Sequence, residues 1–94
     1  MCIFKGDWTL ITGVSSDTGY EMAKILAERG QNLILVSPNE DHLCQVAREL
    51  NEISDIIIMP VDLAKAGSSA LLFNECKRLG LKINKLLNFA KENI

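Results

Sequence analysis

The chain has 94 residues, of which 48% are hydrophobic and 23% charged, and its formal net charge is −2 at pH 7. This length allows one domain, whose folding buries somewhat more than about 60% of the unfolded surface. This balance of hydrophobic and charged residues argues against disorder. The small net charge argues against nucleic acid or an anionic membrane surface as a partner. No run reaches the roughly 18 apolar residues of a membrane span.

The N-terminus and the cysteines bear on the cellular compartment. Met1–Asp7 lacks the apolar region and the cleavage site of a signal peptide. Cys2, Cys44 and Cys76 are odd in number, far apart and never spaced as CxxC. This usage predicts neither disulfides nor a zinc site and favours a reduced, cytoplasmic location.

The first unit is a strand, a glycine-bracketed turn and a helix. The apolar run predicts a strand over Trp8–Thr12, and the pattern predicts a helix over Thr18–Arg29 with Gly30 as its C-cap. The turn between them, bracketed by Gly13 and Gly19, has little side-chain bulk. A helix that begins at such a turn offers a cradle for a phosphate group.

The second unit repeats the strand and the helix. Asn32–Ser37 is almost continuously apolar, which is typical of a strand covered on both faces. Ser37, Pro38 and Glu40 fit a capping box, with Ser37 as N-cap and Pro38 in the first helical position. The helix that follows carries one apolar stripe, made of Leu43, Val46, Ala47, Leu50 and Ile53.

The third unit ends in a fourth strand. Ile56–Met59 is predicted to be a buried strand that ends at Pro60. Ser68 or Ser69 is the predicted cap of a helix that runs to about Leu79, and Gly80 stops it. Its inward residues are Leu72, Cys76 and Leu79, and the fourth strand is predicted over Lys85–Ala90.

The order of elements is β-α-β-α-β-α-β, which defines an α/β fold. Right-handed crossovers predict a parallel sheet of strand order 3-2-1-4 with helices on both faces, which is part of a Rossmann fold. In such sheets a ligand binds at the carboxyl ends of the strands, where the order reverses. That point lies between strands 1 and 4, and both Gly13 and Asn88 map to it.

Three segments resemble motifs of the short-chain dehydrogenase/reductase family. Thr12–Gly19, with Ser15 and Ser16 inside it, resembles the family's glycine-rich cofactor loop. Val61–Leu63 resembles the aspartate segment after the third strand, and Leu86–Lys91 resembles the NNAG segment of the fourth. The resemblance implies a Rossmann sheet and hydride transfer between NAD(P) and a carbonyl or alcohol. The cofactor-binding residues that it implies are Gly13, Ser15, Ser16, Gly19, Ser37, Asp62, Leu63, Asn88 and Ala90.

Asp17 departs from the family pattern, because it takes the place of the loop's middle glycine. Two unit charges about 5 Å apart at an effective dielectric constant of ~20 repel by roughly 3 kcal/mol. Asp17 therefore predicts weakened binding of a pyrophosphate. In an alternative interpretation, its side chain serves as the N-cap of the first helix.

The choice between NAD and NADP rests on the end of strand 2. Family members that use NAD usually carry an acid there, whereas those that use NADP carry Arg or Lys nearby. This chain has Ser37, Pro38 and Asn39 at that point and Ser16 in the loop. NADP is slightly favoured, since the Ser37 hydroxyl is able to bond a 2′-phosphate. The alternative is that Ser37 and Pro38 only start a helix.

No catalytic residue is assigned. The family's catalytic Ser, Tyr and Lys lie beyond the fourth strand, and nothing in the chain matches them. Tyr20 and Lys24 spell YxxxK, but they lie on the first helix and are interpreted as a coincidence, while His42 is expected at the surface. Phe89 and Lys91 replace two residues of the NNAG segment.

Two functions follow as expectations. The first is a Rossmann-like half-domain over residues 1–94, which binds NAD(P) and lacks the family's catalytic part. The second is a non-enzymatic interaction module or gene remnant, which assembles as a homo-oligomer through strand 4 (Lys85–Ala90), because an apolar edge strand invites pairing.

Overall fold

A computed structural model describes residues 7–14, 17–63 and 65–88 of the chain. The elements in chain order are β1 (Asp7–Thr12), α1 (Asp17–Glu28), β2 (Asn32–Ser37), α2 (Glu40–Leu50), β3 (Ile56–Pro60), α3 (Ser68–Arg78) and β4 (Lys82–Asn88). The four strands are parallel and lie in the order β3-β2-β1-β4. The predicted α/β architecture and strand order are therefore confirmed.

The sheet divides the core into two layers. Alternate side chains of β1 and β2 point to opposite faces. One face packs against α1 and α2, through Ile11, Val14, Ala23, Leu26, Ala27, Leu33, Leu35, Leu43, Val46 and Leu50. The other face packs against α3 and the chain around it, through Trp8, Leu10, Ile34, Val36, Met59, Leu72, Cys76 and Leu81. Helices on both faces are confirmed, and β2 is buried from Leu33 to Ser37 as expected.

Glycine ends α1 as predicted. The N–H of Gly30 donates to the carbonyl of Ala27 at 2.9 Å, and the N–H of Gln31 donates to that of Leu26 at 3.1 Å. This pair of bonds is a Schellman motif, which needs a left-handed residue, and Gly30 has a φ of 80°. Gly80 and Leu81 make the equivalent two bonds at the end of α3.

The predicted cap of α2 is wrong by two residues. Asn39 is the N-cap, and its side-chain oxygen accepts from the N–H of His42 at 3.1 Å. Ser37 remains in β2, where it pairs with Pro60 of β3. Its hydroxyl oxygen instead accepts the N–H of Asn39 at 3.2 Å, which supports the turn that leads into the helix.

The predicted cap of α3 is also wrong. The residue before the helix is Gly67, which has a left-handed φ of 81° and makes no side-chain cap bond. Ser68 is the first helical residue and is buried. A residue without a side chain cannot cap a helix through one, so this end depends on its backbone turn.

Three further boundaries differ from the expectations. Ile53 lies beyond α2 and is 46% exposed, because the helix ends at Leu50 and the chain turns away from the sheet. Ile56–Ile58 are half-buried, since β3 pairs with β2 alone among the described strands and forms an edge of their sheet. β4 begins at Lys82, three residues earlier than predicted, and its predicted last residue, Ala90, lies outside the described residues.

In the described part of the chain, every helix is too short or too polar to cross a membrane.

Candidate functional site

The carboxyl ends of the four parallel strands meet along one edge of the sheet. Thr12 of β1 pairs with Val36 of β2 on one side and with Asn88 of β4 on the other. The chain leaves β1 toward β2, and it reaches β4 only after β3 and α3. The crevice between β1 and β4 is therefore the topological switch point, where α/β folds of this kind bind their ligands.

Gly13, the first residue after β1, has the left-handed backbone with which the predicted phosphate cradle begins. Gly13 has a φ of 71°, and its N–H donates to the carbonyl of Val36 at 3.2 Å. A side chain at this position would be strained, since L-residues rarely adopt a left-handed φ. Gly19 is buried in the first turns of α1, so no side-chain bulk separates the start of the helix from the sheet. The predicted site residues Ser15 and Ser16 lie outside the described residues.

Asp17 is the first residue of α1, one position earlier than the predicted helix start, and its side chain is exposed. As a helical residue it does not take the place of the cap, which is the residue before the helix. Its carboxylate lies at the positive end of the helix dipole, which stabilises an acid there. A bound pyrophosphate would face this same N-terminal end of α1. Asp17 therefore competes with a bound anion for the positive end of the helix dipole.

One side-chain hydrogen bond joins the two walls of the crevice. The hydroxyl of Thr12 donates to the side-chain oxygen of Asn88 at 2.7 Å. The bond fixes the orientation of the Asn88 amide, because its oxygen faces β1. Asn88 was expected at the site, whereas Thr12 was identified only as part of the glycine motif. The role of Thr12 could have been predicted from its hydroxyl, because Thr12 is the last residue of β1 and lies opposite the amide of Asn88, the last residue of β4.

Asp62 and Leu63 follow β3 at the same edge. The N–H of Val61 donates to the carbonyl of Ser37 at 3.1 Å, which extends the β2–β3 ladder by one residue. Both Asp62 and Leu63 are half-buried, and the N–H of Lys65 donates to the carbonyl of Asp62 at 3.1 Å. The segment that resembles the family's aspartate motif is therefore held beside the end of β2.

A cavity of about 170 Å³ lies between this edge and α3. Its lining brings together two expected site residues, Leu63 and Asn88. The complete lining is Leu10, Thr12, Leu63, Ser69, Leu72, Phe73, Leu86 and Asn88. Its lining is mostly apolar, and its volume is below the roughly 300 Å³ at which the usual range of small-molecule pockets begins.

Ser37 does not present its hydroxyl to solvent. It is 2% exposed, and its oxygen accepts the N–H of Asn39. The residues that do reach solvent at the end of β2 are Pro38, Asn39, Glu40 and Asp41.

The Tyr20 hydroxyl is engaged away from the sheet edge. It donates to the Glu49 carboxylate of α2, and this bond, with partial desolvation and the nearby negative charges, raises the pKa of Tyr20 above its ordinary value. Tyr20 thus joins two helices, α1 and α2.

His42 is half-buried rather than at the surface, which corrects the expectation. Its Nδ1 is buried and has no hydrogen-bond partner among the described residues. Within residues 7–14, 17–63 and 65–88, no group of three or more His, Cys, Asp or Glu side chains is placed to hold a metal ion.

This fold, with its switch point between β1 and β4, is of the Rossmann type. Residues 7–91 match the family described as short chain dehydrogenase. The chain belongs to that family, and the resemblance seen in its motifs is confirmed.

Curated relatives of this chain include fungal reductases that are much longer than it is. The very-long-chain 3-oxoacyl-CoA reductase of Kluyveromyces lactis is 33% identical over 86 residues, which cover 89% of this chain and 25% of the relative. The reductase of the same name from Phaeosphaeria nodorum is 36% identical over 88 residues, with shares of 89% and 26%. The chain thus spans about a quarter of the length of these relatives.

Solved structures share the fold. A ketone-specific alcohol dehydrogenase from Comamonas testosteroni is 29% identical with a TM-score of 0.78, and 93% of this chain matches 36% of it. An NADH-dependent reductase in complex with NAD is 26% identical with a TM-score of 0.72, with shares of 89% and 36%. A β-ketoacyl-[ACP] reductase from Bacteroides thetaiotaomicron has a TM-score of 0.81 at 21% identity, with shares of 92% and 41%, which shows the fold alone.

Proposed function

We propose that this chain is the dinucleotide-binding half of an NAD(P)-dependent oxidoreductase, folded as one Rossmann-like unit over residues 1–94. The observation that carries the proposal is the crevice between β1 and β4. Gly13 follows β1 with a left-handed φ, α1 begins at Asp17, and the bond from Thr12 to Asn88 joins the walls of the crevice. A glycine turn that leads into a helix N-terminus at the switch point is the geometry that holds a dinucleotide.

Each part of the edge has a role in the proposal. The turn and the start of α1, through Gly13, Ser15, Ser16 and Gly19, take the pyrophosphate. The loop after β3, with Asp62 and Leu63, takes the adenine, and Ser37 lies at the ribose. Asn88 lies beside the adenine ribose, and the family resemblance implies the same role for Ala90, which lies outside the described residues. The cofactor supplies the hydride, while the residues of this chain bind and orient it.

Within this chain the proposal assigns binding and no proton transfer. A hydride donor without a positioned acid or base would react slowly. The names of the fungal relatives suggest a 3-oxoacyl thioester as the substrate class of a complete protein with this half. We place the chain in the cytoplasm, on the grounds of its cysteine usage.

The proposal is tested by the thermal stability of the chain with cofactor. A ligand that binds the folded state alone stabilises it by RT ln(1 + [L]/Kd), or about 1.4 kcal/mol at ten times Kd. Because Asp17 weakens the pyrophosphate site, we expect a millimolar-range Kd and a rise in Tm only at millimolar NADH or NADPH. AMP and nicotinamide riboside, which lack the pyrophosphate, serve as controls. An unchanged Tm at ten millimolar of each dinucleotide would exclude this function.

A second candidate function is a non-enzymatic interaction module. It is favoured by the exposed position of β4, which within the described part of the chain pairs with β1 alone and carries Leu86 at 54% exposure. In this proposal two copies associate through the outer edge of β4, over Lys85–Ala90. Sedimentation over a range of concentrations distinguishes it from cofactor binding, which does not require association.

A further inference from the structure

The end of β2 governs the choice between the two dinucleotides in folds of this type. Side chains about 20 residues after the glycine turn meet the 2′ position of the adenosine ribose. An acidic side chain there accepts hydrogen bonds from the 2′-hydroxyl of NAD, whereas an arginine accommodates the 2′-phosphate of NADP. In this chain the corresponding stretch is Ser37–Asp41, where β2 ends and α2 begins.

The hydroxyl that favoured NADP in the sequence is not available to a ligand. Ser37 is 2% exposed, and its oxygen already accepts the N–H of Asn39. A phosphate at the surface would reach this hydroxyl only if the end of β2 opened and exposed Ser37. Ser37 therefore contributes little to recognition of a 2′-phosphate.

The side chains that do face solvent at this point are neutral or acidic. Glu40 and Asp41 occupy the first turn of α2, and both are exposed. The half-charge of the helix dipole favours an anion here, but two full negative charges outweigh it. A 2′-phosphate adds nearly two more negative charges at neutral pH, since its second pKa is about 6.

Basic residues of the described chain lie elsewhere, with one exception at this edge. Arg48 is in the last turn of α2, at the opposite end of that helix. Lys65 is exposed on the loop after β3, three residues beyond Asp62. One lysine against the carboxylates of Glu40 and Asp41 leaves the neighbourhood of the ribose negative.

We infer that this chain binds NAD and NADH more tightly than NADP and NADPH, by about threefold to tenfold at low ionic strength. This inference rests on the proposed function and reverses the slight preference for NADP drawn from the sequence. Glu40 and Asp41 act as specificity-determining residues, because they repel the 2′-phosphate and leave the 2′-hydroxyl unaffected.

The test is a comparison of the Kd values of NADH and NADPH by calorimetry, at roughly 20 mM and 500 mM salt. We expect tighter binding of NADH at low salt, and a ratio that approaches one at high salt, because the Debye length falls to a few ångströms. Equal or tighter binding of NADPH at low salt would overturn the inference and leave the proposed function intact. Failure of both ligands to bind would overturn the proposed function itself.

A double variant, Glu40→Gln with Asp41→Asn, identifies the source of the selectivity. We expect its Kd for NADPH to fall at least threefold, while its Kd for NADH changes less than twofold. Glu52→Gln with Asp55→Asn is the matched control, since it removes two exposed charges beyond the other end of α2. A NADH-to-NADPH ratio that is the same in both double variants would exclude Glu40 and Asp41 as the cause. Circular dichroism checks the fold of each variant, and the salt series on the unaltered chain needs no variant.

Discussion

Asn39 determines where α2 begins, since its side chain satisfies the backbone N–H of His42. Replacement by alanine removes this bond and leaves a first-turn donor to water. We expect Asn39→Ala to lower the free energy of unfolding by ~1 kcal/mol, measured by urea denaturation. Asn39→Asp, which keeps a capping oxygen, is expected to retain most of the stability. An equal loss in both variants would contradict a capping role.

Asp17 is one of the residues at which the site departs from its family, and its exposure weakens the repulsion estimated from the sequence. At an intermediate dielectric constant of ~40 and a distance of about 6 Å, two unit charges repel by ~1.4 kcal/mol. We therefore expect Asp17→Asn to tighten NADH binding about tenfold. Glu28→Gln is the control, because it removes an exposed acid at the other end of α1. A tenfold gain in the control as well would assign the effect to net charge.

The residues of the site were only partly predictable from the sequence. Glycine at position 13 and the amide at position 88 follow from motif and strand order, because few residue types suit a left-handed turn or a switch point. The state of Ser37 was not predictable, since a serine beside a proline serves equally as a cap or as the last residue of a strand. The pairing of Ser37 with Pro60 decides this, and it is a contact between residues 23 positions apart.

At the scale of elements, α1 and α2 are joined by the bond from Tyr20 to Glu49. This bond raises the pKa of Tyr20 in the folded state, so the folded chain holds the phenol proton more tightly than the unfolded chain does. Its stabilisation is fully present below the ordinary tyrosine pKa of ~10 and is lost as the pH rises through the folded value.

We expect the tyrosine absorbance of the folded chain to titrate above the ordinary range, and Glu49→Gln to bring the pKa of Tyr20 back toward it. Tyr20 is the one tyrosine in the chain, so the signal has a single source. Glu52→Gln, just beyond the same helix, is the control. An identical titration curve for Glu49→Gln and the unaltered chain would show that the bond is absent in solution.

The elements themselves were predictable where local pattern and burial agree. Four strands, three helices and the glycine ends of α1 and α3 follow from the apolar runs and from the glycine and proline residues that end them. The helix starts were not, because Ser68 and Ser69 offer good caps that the chain does not use. The turn at Gly67 belongs to the loop that connects β3 to α3. The conformation of this loop depends on tertiary packing, which the local sequence pattern does not specify.

For the whole molecule, the outer edge of β4 decides between a monomer and an assembly. A register shift between Trp8 and Thr9 leaves Asn84 as an extra residue in β4, and Lys82 and Lys85 are exposed on the same strand. Bulges and lysines discourage pairing at an edge, whereas the exposed Leu86 encourages it.

If the chain associates through β4 as proposed, Leu86→Lys is expected to shift it toward the monomer, as measured by sedimentation at high concentration. Leu71→Lys is the matched control, because Leu71 is 70% exposed and lies on α3 rather than on the strand. A chain that remains monomeric without any substitution would exclude the interaction module.

The position of the crevice has a consequence for how such a unit is inherited. Its two walls, β1 and β4, are bonded to each other and joined by Thr12 and Asn88, so the crevice lies inside the sheet. Strands added beyond β4 would extend the sheet without altering this junction. The crevice therefore behaves as a module, which different proteins can combine with different chemistry downstream while its own geometry stays the same.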